Sequence, residues 1–189
     1  MRRLLLVDDD PMVVMALKAS FSAMFPSDLR IETFTNPELA LSRMHDIGFD
    51  VVLSDYRMPE MNGVQFLRAA CQIQPHIVRM MLSANSDFDI VQQAINEAEI
   101  YRFLAKPWTD ADLYKHVGDA LQHALDMRRE RELADAMRVQ KGQLTPAEEE
   151  MRRLEELEPG LTVVEWGPNG EVLMPESLLK DSASERFSH

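Results

Sequence analysis

Through about residue 125 the chain alternates short apolar runs with amphipathic stretches at intervals of roughly twenty to twenty-five residues, a rhythm that few folds can satisfy. Apolar runs this short suit strands buried on both faces, and the amphipathic stretches suit helices that cover them. The pattern therefore predicts an α/β domain with a doubly wound parallel sheet. The expected strands are Arg3 to Val7, Arg30 to Phe34, Val51 to Ser54, Ile77 to Leu82 and Tyr101 to Leu104, the third and fourth being apolar enough to be central. Five helices are expected with them. The second opens at Asn36-Pro37-Glu38, a capping side chain followed by proline in the first turn. The fourth opens at Ser86, with Asp87 and Asp89 at the positive end of its dipole.

A chain of 189 residues, 46% of them hydrophobic, suits one domain of ordinary size plus an appendage. The net charge is -12, and neither the part before residue 126 nor the part after it is basic. Non-specific binding to nucleic acid or anionic lipid is disfavoured accordingly. The single cysteine, Cys71, has no internal disulfide partner and is expected as a buried small hydrophobe in a reducing cytoplasm. Arg2 and Arg3 precede an apolar run that stops at Asp8, too short for a signal peptide, and no stretch is long enough to cross a bilayer.

In a doubly wound sheet the carboxyl ends of the strands converge on one crevice. The first strand ends at Asp8, Asp9 and Asp10; the third at Ser54 and Asp55, followed by "YRMPEMNG"; the fourth at Ser83-Ala84; the fifth runs into Lys106-Pro107. Asp8, Asp9 and Asp55 crowded at one rim repel unless a hard divalent cation lies among them. Magnesium suits the role, because it needs only one or two carboxylates and takes its other ligands from water, a backbone carbonyl and phosphate oxygens. A carboxylate beside it can accept a phosphoryl group as an acyl phosphate, while an ammonium and a hydroxyl neutralise the transferring oxygens.

The segments "LLVDDD", "LSDYRMPEMNG", "MLSAN" and "FLAKP", in this order over residues 1 to about 125, resemble the receiver domain of two-component response regulators. The resemblance implies a flavodoxin-like (βα)5 fold. It implies Asp55 as phosphoacceptor, Asp8 and Asp9 as metal-binding acids, and Arg57 as the donor of a backbone carbonyl to Mg2+. Asp10 falls to a helix cap. Ser83 matches the family's hydroxyl, Lys106 its lysine and Phe103 its switch aromatic, although an aromatic on a short strand is also ordinary core. A phosphoryl group adds about -1.5 to -2 charge and three acceptors. Ser83 would move toward it and Phe103 turn inward, reshaping the face of the fourth helix, fifth strand and fifth helix. Lys106-Pro107 is a place where a cis bond is cheap.

The resemblance also implies a histidine kinase or phosphotransfer protein as the source of the phosphoryl group, with no enzymatic activity beyond self-phosphorylation and its hydrolysis. "YRFLAKPW" is similar to receivers attached to HD-GYP phosphodiesterases; that output is absent from this sequence, so an enzyme of that kind, if one is involved, is expected to act in trans.

Beyond the receiver, the fifth helix is expected to continue outward toward Gly142. Leu113, Val117, Ala120, Ala124 and Met127 face the domain, whereas Arg131 and Arg138 interrupt the seam. Either a short dimerising helix, giving a homodimer, or a solvated helix with ion pairs fits. Thr145 to Glu148 forms a capping box with proline in the first turn, opening a helix to about Leu157. "LTVVEWGPNGEVLM" reads as a β-hairpin around Pro168-Asn169-Gly170. The expected divisions are a receiver over 1–125, a helical extension over 126–158, a hairpin over 159–176 and a disordered tail over 177–189. There is no helix-turn-helix with a basic recognition helix, no Gly-rich nucleotide loop, and His45, His76, His116 and His123 are scattered. The expected output is contact with a downstream protein, without DNA or membrane binding. A phosphorylation-independent scaffold and a regulatory subunit of a separate enzyme are the alternatives.

Overall fold

The computed structural model describes residues 1–84, 98–160, 165–166 and 172–173. Its centre is a five-stranded sheet in the order β2-β1-β3-β4-β5, built from β1 (Arg2–Val7), β2 (Leu29–Phe34), β3 (Val51–Asp55), β4 (Val78–Ala84) and β5 (Arg102–Lys106). Every neighbouring pair is parallel. The expected doubly wound α/β fold is present, with β3 at the centre. Strands three to five run further than the sequence reading placed them, so Asp55, Ser83 and Lys106 lie within strands rather than beyond them.

Alternation along each strand divides the core in two. Leu4, Leu6, Val51, Leu53, Met80 and Leu82 face one side of the sheet, with α1 (Pro11–Met24) and α4 (Asp110–Gln140) over them. Leu5, Val7, Val52 and Met81 face the other, under α2 (Pro37–Asp46) and α3 (Gly63–Ile73). Helix α1 docks through Val14, Leu17 and Phe21, and α4 through Leu113, Val117, Ala120, Leu121 and Ala124. Both sets follow the 3–4 spacing of a single apolar stripe. The caps are local: Asn36 accepts the Leu39 N–H before α2, and Thr109 accepts the Asp112 N–H before α4. The helix expected to open at Ser86 lies outside the described residues. Cys71 is a free thiol and half-buried, less enclosed than expected, because it lies beside rather than on the buried stripe of Phe66, Leu67 and Ala70.

Helix α4 ends at Gln140, and Gly142, at φ 68°, turns the chain into α5 (Pro146–Leu157). The capping box expected at Thr145 and Glu148 is formed. The fifth helix thus continues beyond the receiver as expected, whereas α5 folds back along α4, and its last turn reaches the receiver, where the Gly48 N–H donates to the Leu157 carbonyl at 3.0 Å. The expected hairpin is represented by β6 (Glu165–Trp166) and β7 (Val172–Leu173), paired antiparallel. Its turn and the 177–189 tail lie outside the described residues. Among the described residues no helix is long and apolar enough to cross a membrane.

Candidate functional site

The order β2-β1-β3 means that the chain leaves β1 and β3 in opposite directions across the sheet. This opens a crevice above their carboxyl ends, the place where such folds bind ligands. Asp8 is the first residue after β1, Asp55 the last of β3, Lys106 the last of β5. Asp8 and Asp55 are both buried.

Lys106 bridges them. Its Nζ donates to Asp8 Oδ2 at 2.8 Å and lies 2.5 Å from Asp55 Oδ1. Each carboxylate is held from the other side by backbone: the Asp10 N–H donates to Asp8 Oδ1 at 3.0 Å, and the Arg57 N–H donates to Asp55 Oδ2. The Lys106–Pro107 peptide is cis.

Both partners of the bridge are shifted upward, which favours the neutral form of the acid and the charged form of the amine. Burial pushes the Asp8 carboxyl above its usual 3.8, and the repulsion of Asp55 adds to the rise, although hydrogen bonds from Lys106 and Asp10 oppose it. Burial alone would lower Lys106, but hydrogen bonds and charge from both acids hold its ammonium above the ordinary 10.5. At Asp8 burial outweighs the favourable contacts, whereas at Lys106 the hydrogen bonds and charges of two acids outweigh burial.

The remaining expected residues are placed as follows. Asp9 is exposed at the same rim. Asp10 caps α1, accepting the Met12 N–H at 2.8 Å. Arg57 is exposed, its backbone facing Asp55. Ser83 is buried on β4, opposite Ala105 in the register, and Phe103 is half-buried on β5, opposite Met81 and packed on the α2–α3 side of the core. Among the described residues no three His, Cys, Asp or Glu side chains converge to hold a metal. The donor set suits magnesium nonetheless. Two buried carboxylates meet its need for one or two, and the single Lys106 ammonium facing them balances only one of their two negative charges.

Gly63 carries a role that sequence reasoning passed over. Its N–H donates to the Tyr56 carbonyl at 2.9 Å, and a Cβ there would lie 2.3 Å from the Asp55 carbonyl oxygen. The first turn of α3 is thus pressed against the backbone of Asp55. Asn62 and Gln65 complete it with a reciprocal capping box. The signal was present, since Asn-Gly followed two residues later by glutamine marks both a turn and a helix start.

The family described as response regulator receiver domain matches residues 4–118. The hydrogenase transcriptional regulatory protein HoxA of Cupriavidus necator is 31% identical over 118 residues, covering 62% of this chain and 24% of that protein. The transcriptional regulatory protein GlrR of Escherichia coli is 30% identical over 128 residues, 68% of this chain and 28% of that one. The chain thus spans about a quarter of the length of these relatives. Among solved structures, the signal receiver domain of an HD domain-containing protein from Pseudomonas fluorescens superposes with a TM-score of 0.62 at 30% identity, covering 66% of this chain and 98% of that one.

Proposed function

The chain belongs to the response regulator receiver domain family, and from that premise we propose that it is a two-component response regulator that switches on transfer of a phosphoryl group to Asp55. The observation that carries the reading is the Lys106 ammonium bridging two buried carboxylates at the sheet's switch point. An Asp55 oxygen attacks the phosphorus of a donor such as a histidine kinase, a phosphotransfer protein or acetyl phosphate. The new O–P bond forms as the donor's P–N or P–O bond breaks, leaving an acyl phosphate and the freed donor. Asp8, Asp9, Asp55 and the Arg57 carbonyl would hold Mg2+, which when bound neutralises phosphoryl oxygens. Lys106, already charged, pairs with another of those oxygens, and the buried Ser83 hydroxyl donates to a third. Ser83 and Phe103 are neighbours on adjacent strands through Ala105 and Met81. Movement of Ser83 toward the phosphoryl group therefore changes the packing that Phe103 feels, and with it the β5–α4 face.

The output is protein contact in the cytoplasm. The matched relatives are named as transcriptional regulators, but the described residues after the receiver form two acidic-and-basic helices and a short strand pair, without a basic recognition helix. Incubation with acetyl phosphate and Mg2+ should add one phosphoryl mass to the wild-type chain and none to Asp55→Asn. A label that persists in Asp55→Asn overturns the assignment.

A further inference from the structure

The base of the receiver, at the opposite end of the sheet from Asp55, carries a second built feature. Gly48, in the loop before β3, lies under the end of α5. Its N–H donates to the Leu157 carbonyl at 3.0 Å, while Arg3 Nη1 donates to that same carbonyl at 3.2 Å and to the Gly48 carbonyl at 3.4 Å. A Cβ on Gly48 would lie 2.1 Å from the Glu156 carbonyl oxygen. All three of its nearest neighbours would be α5 backbone. Gly48 is not at positive φ, so the approach of α5 is what leaves no room for a side chain there.

Leu154 and Glu155 of α5 are half-buried, and part-exposed ion pairs link the helix to α4. Arg131 Nε donates to Glu156 at 3.1 Å, and Arg152 lies 3.4 Å from Asp135. No residue of α5 is buried. Between α5, α4 and the receiver base the two helices enclose a cleft of about 580 Å3, bordered by Phe49, Pro75, His76, Arg128 and Arg131. An arm without a buried side chain, held by part-exposed ion pairs and a few hydrogen bonds beside this cleft, is held weakly.

We propose that α5 is a releasable latch seated on Gly48, and that phosphorylation of Asp55 loosens it through α4; the coupling rests on the phosphoacceptor reading above. The connection is covalent and rigid. Lys106 is followed by Pro107, Trp108 and the cap Thr109, and then by a helix that runs 31 residues without interruption. Its buried stripe, Leu113 to Ala124, is the fulcrum. At 1.5 Å per residue the Asp110 end lies about 13 Å before the middle of that stripe and Arg131, which meets Glu156 beside the seat, about 19 Å beyond. A tilt that shifts the first by 1 Å shifts the second by roughly 1.5 Å. Drawing Lys106 onto a phosphoryl group tilts α4, and the nearest distal tie, Arg128 to Asp50 at 2.7 Å, lies between fulcrum and latch. Contacts as short-ranged as those of α5 do not survive displacements of that size.

The experiment is amide exchange of residues 146–157 in the full chain, with and without Mg2+ and fluoroberyllate, whose binding is followed by its own 19F signal. Exchange of α5 should accelerate about tenfold on fluoroberyllate binding, within the usual range for coupled sites. Gly48→Ala should exchange fast in both states and, by reciprocity, bind fluoroberyllate about tenfold more tightly. Bound fluoroberyllate with unchanged or slowed α5 exchange overturns the latch coupling. No bound fluoroberyllate overturns the phosphoacceptor reading instead. Equal α5 exchange in wild type and Gly48→Ala overturns the seat itself. Should Gly48→Ala not fold, Arg131→Glu opens the arm from its other contact. The Arg131→Glu, Glu156→Arg double variant should then restore slow exchange, and failure to restore it counts against the latch.

Discussion

Replacing Gly63 by alanine tests whether the first turn of α3 positions the phosphoacceptor. The added Cβ would stand 2.3 Å from the Asp55 carbonyl oxygen, 2.9 Å from Tyr56 Cα and 3.1 Å from the Asp55 carbonyl carbon, all backbone. Reaching even 3.0 Å, the shortest approach real Cβ atoms show, requires a shift of about 0.7 Å. Helix α3 resists that shift through buried Val64, Phe66, Leu67 and Ala70, and Asp55 resists it through the ladder to β4 and the Tyr56 N–H to Leu82 carbonyl bond of 2.9 Å. Overpacking of this kind costs about 1–3 kcal/mol, and weakening the Gly63 hydrogen bond adds about 1 kcal/mol. Alanine's smaller unfolded-state entropy returns about 0.5–1 kcal/mol, leaving a net loss of roughly 1–3.5 kcal/mol. Where Asp55 yields, its phosphorylation slows by something approaching the hundredfold typical of a 1 Å misplacement. Gly118, inside α4 with nothing nearer than Phe25 Cζ at 4.0 Å, is the internal control. The same substitution there should stabilise by about 0.5–1 kcal/mol. Urea unfolding and acetyl phosphate labelling rates measure both variants. A Gly63→Ala protein within 0.5 kcal/mol and twofold of wild type would refute the argument from close approach.

Three further outcomes follow from single residues. Lys106→Met removes the cation that now serves Asp8 and Asp55, so Mg2+ titration calorimetry should show binding strengthened by roughly fivefold or more, the effect of one charge at about 4 Å even in water, while labelling slows; weakened Mg2+ binding would contradict the bridge. Glu60 sits at φ 67°, a conformation costing a non-glycine residue about 1–2 kcal/mol, so Glu60→Gly should raise stability by about 0.5–1 kcal/mol after glycine's own entropic cost; a lower urea midpoint would show the strain to be absent. His76, at the cleft beside α5, is held below its usual 6.5 by burial and then by Arg131, against Glu156. The folded chain therefore binds fewer protons at His76 than the unfolded one, so its contribution to stability is fully present above pH 6.5 and falls as pH drops below that value. Urea midpoints should fall on acidification below pH 6.5 more steeply in wild type than in His76→Gln; equal pH dependence in the two would remove His76 from the acid sensitivity.

What the sequence made legible divides by the range of the interaction. The strands and their order were readable, though not their last residues, because a period of two and a period near four leave different apolar patterns, and because polar chemistry follows each apolar run at the same sheet edge. Asp10, Asn36 and Thr145 were readable as caps because a cap bonds within three residues of itself. Lys106 and Asp8 are 98 positions apart; topology brought them to one rim, yet nothing local shows that the ammonium touches both acids.

The arm shows the same division more sharply. Arg131 and Arg138 read as faults in a dimer seam, whereas the structure pairs Arg131 with Glu156 and Arg138 with Asp135, which also meets Arg152. Charges that disqualify one partner are the contacts that select another. Glu156 of α5 satisfies Arg131 within the same chain, at an effective concentration that a turn of a few residues at Gly142 makes high. Gly48, unremarkable in the sequence, is where this closure leaves its mark, because the absence of a side chain there has no local backbone cause and acquires one only when residue 157 folds back upon it. An intramolecular partner for α4 also bears on the expected homodimer: a second chain that used the Arg131 face would have to displace α5 first. Release of the latch and exposure of that surface are therefore one event, and a phosphorylation-dependent contact there needs no second switch.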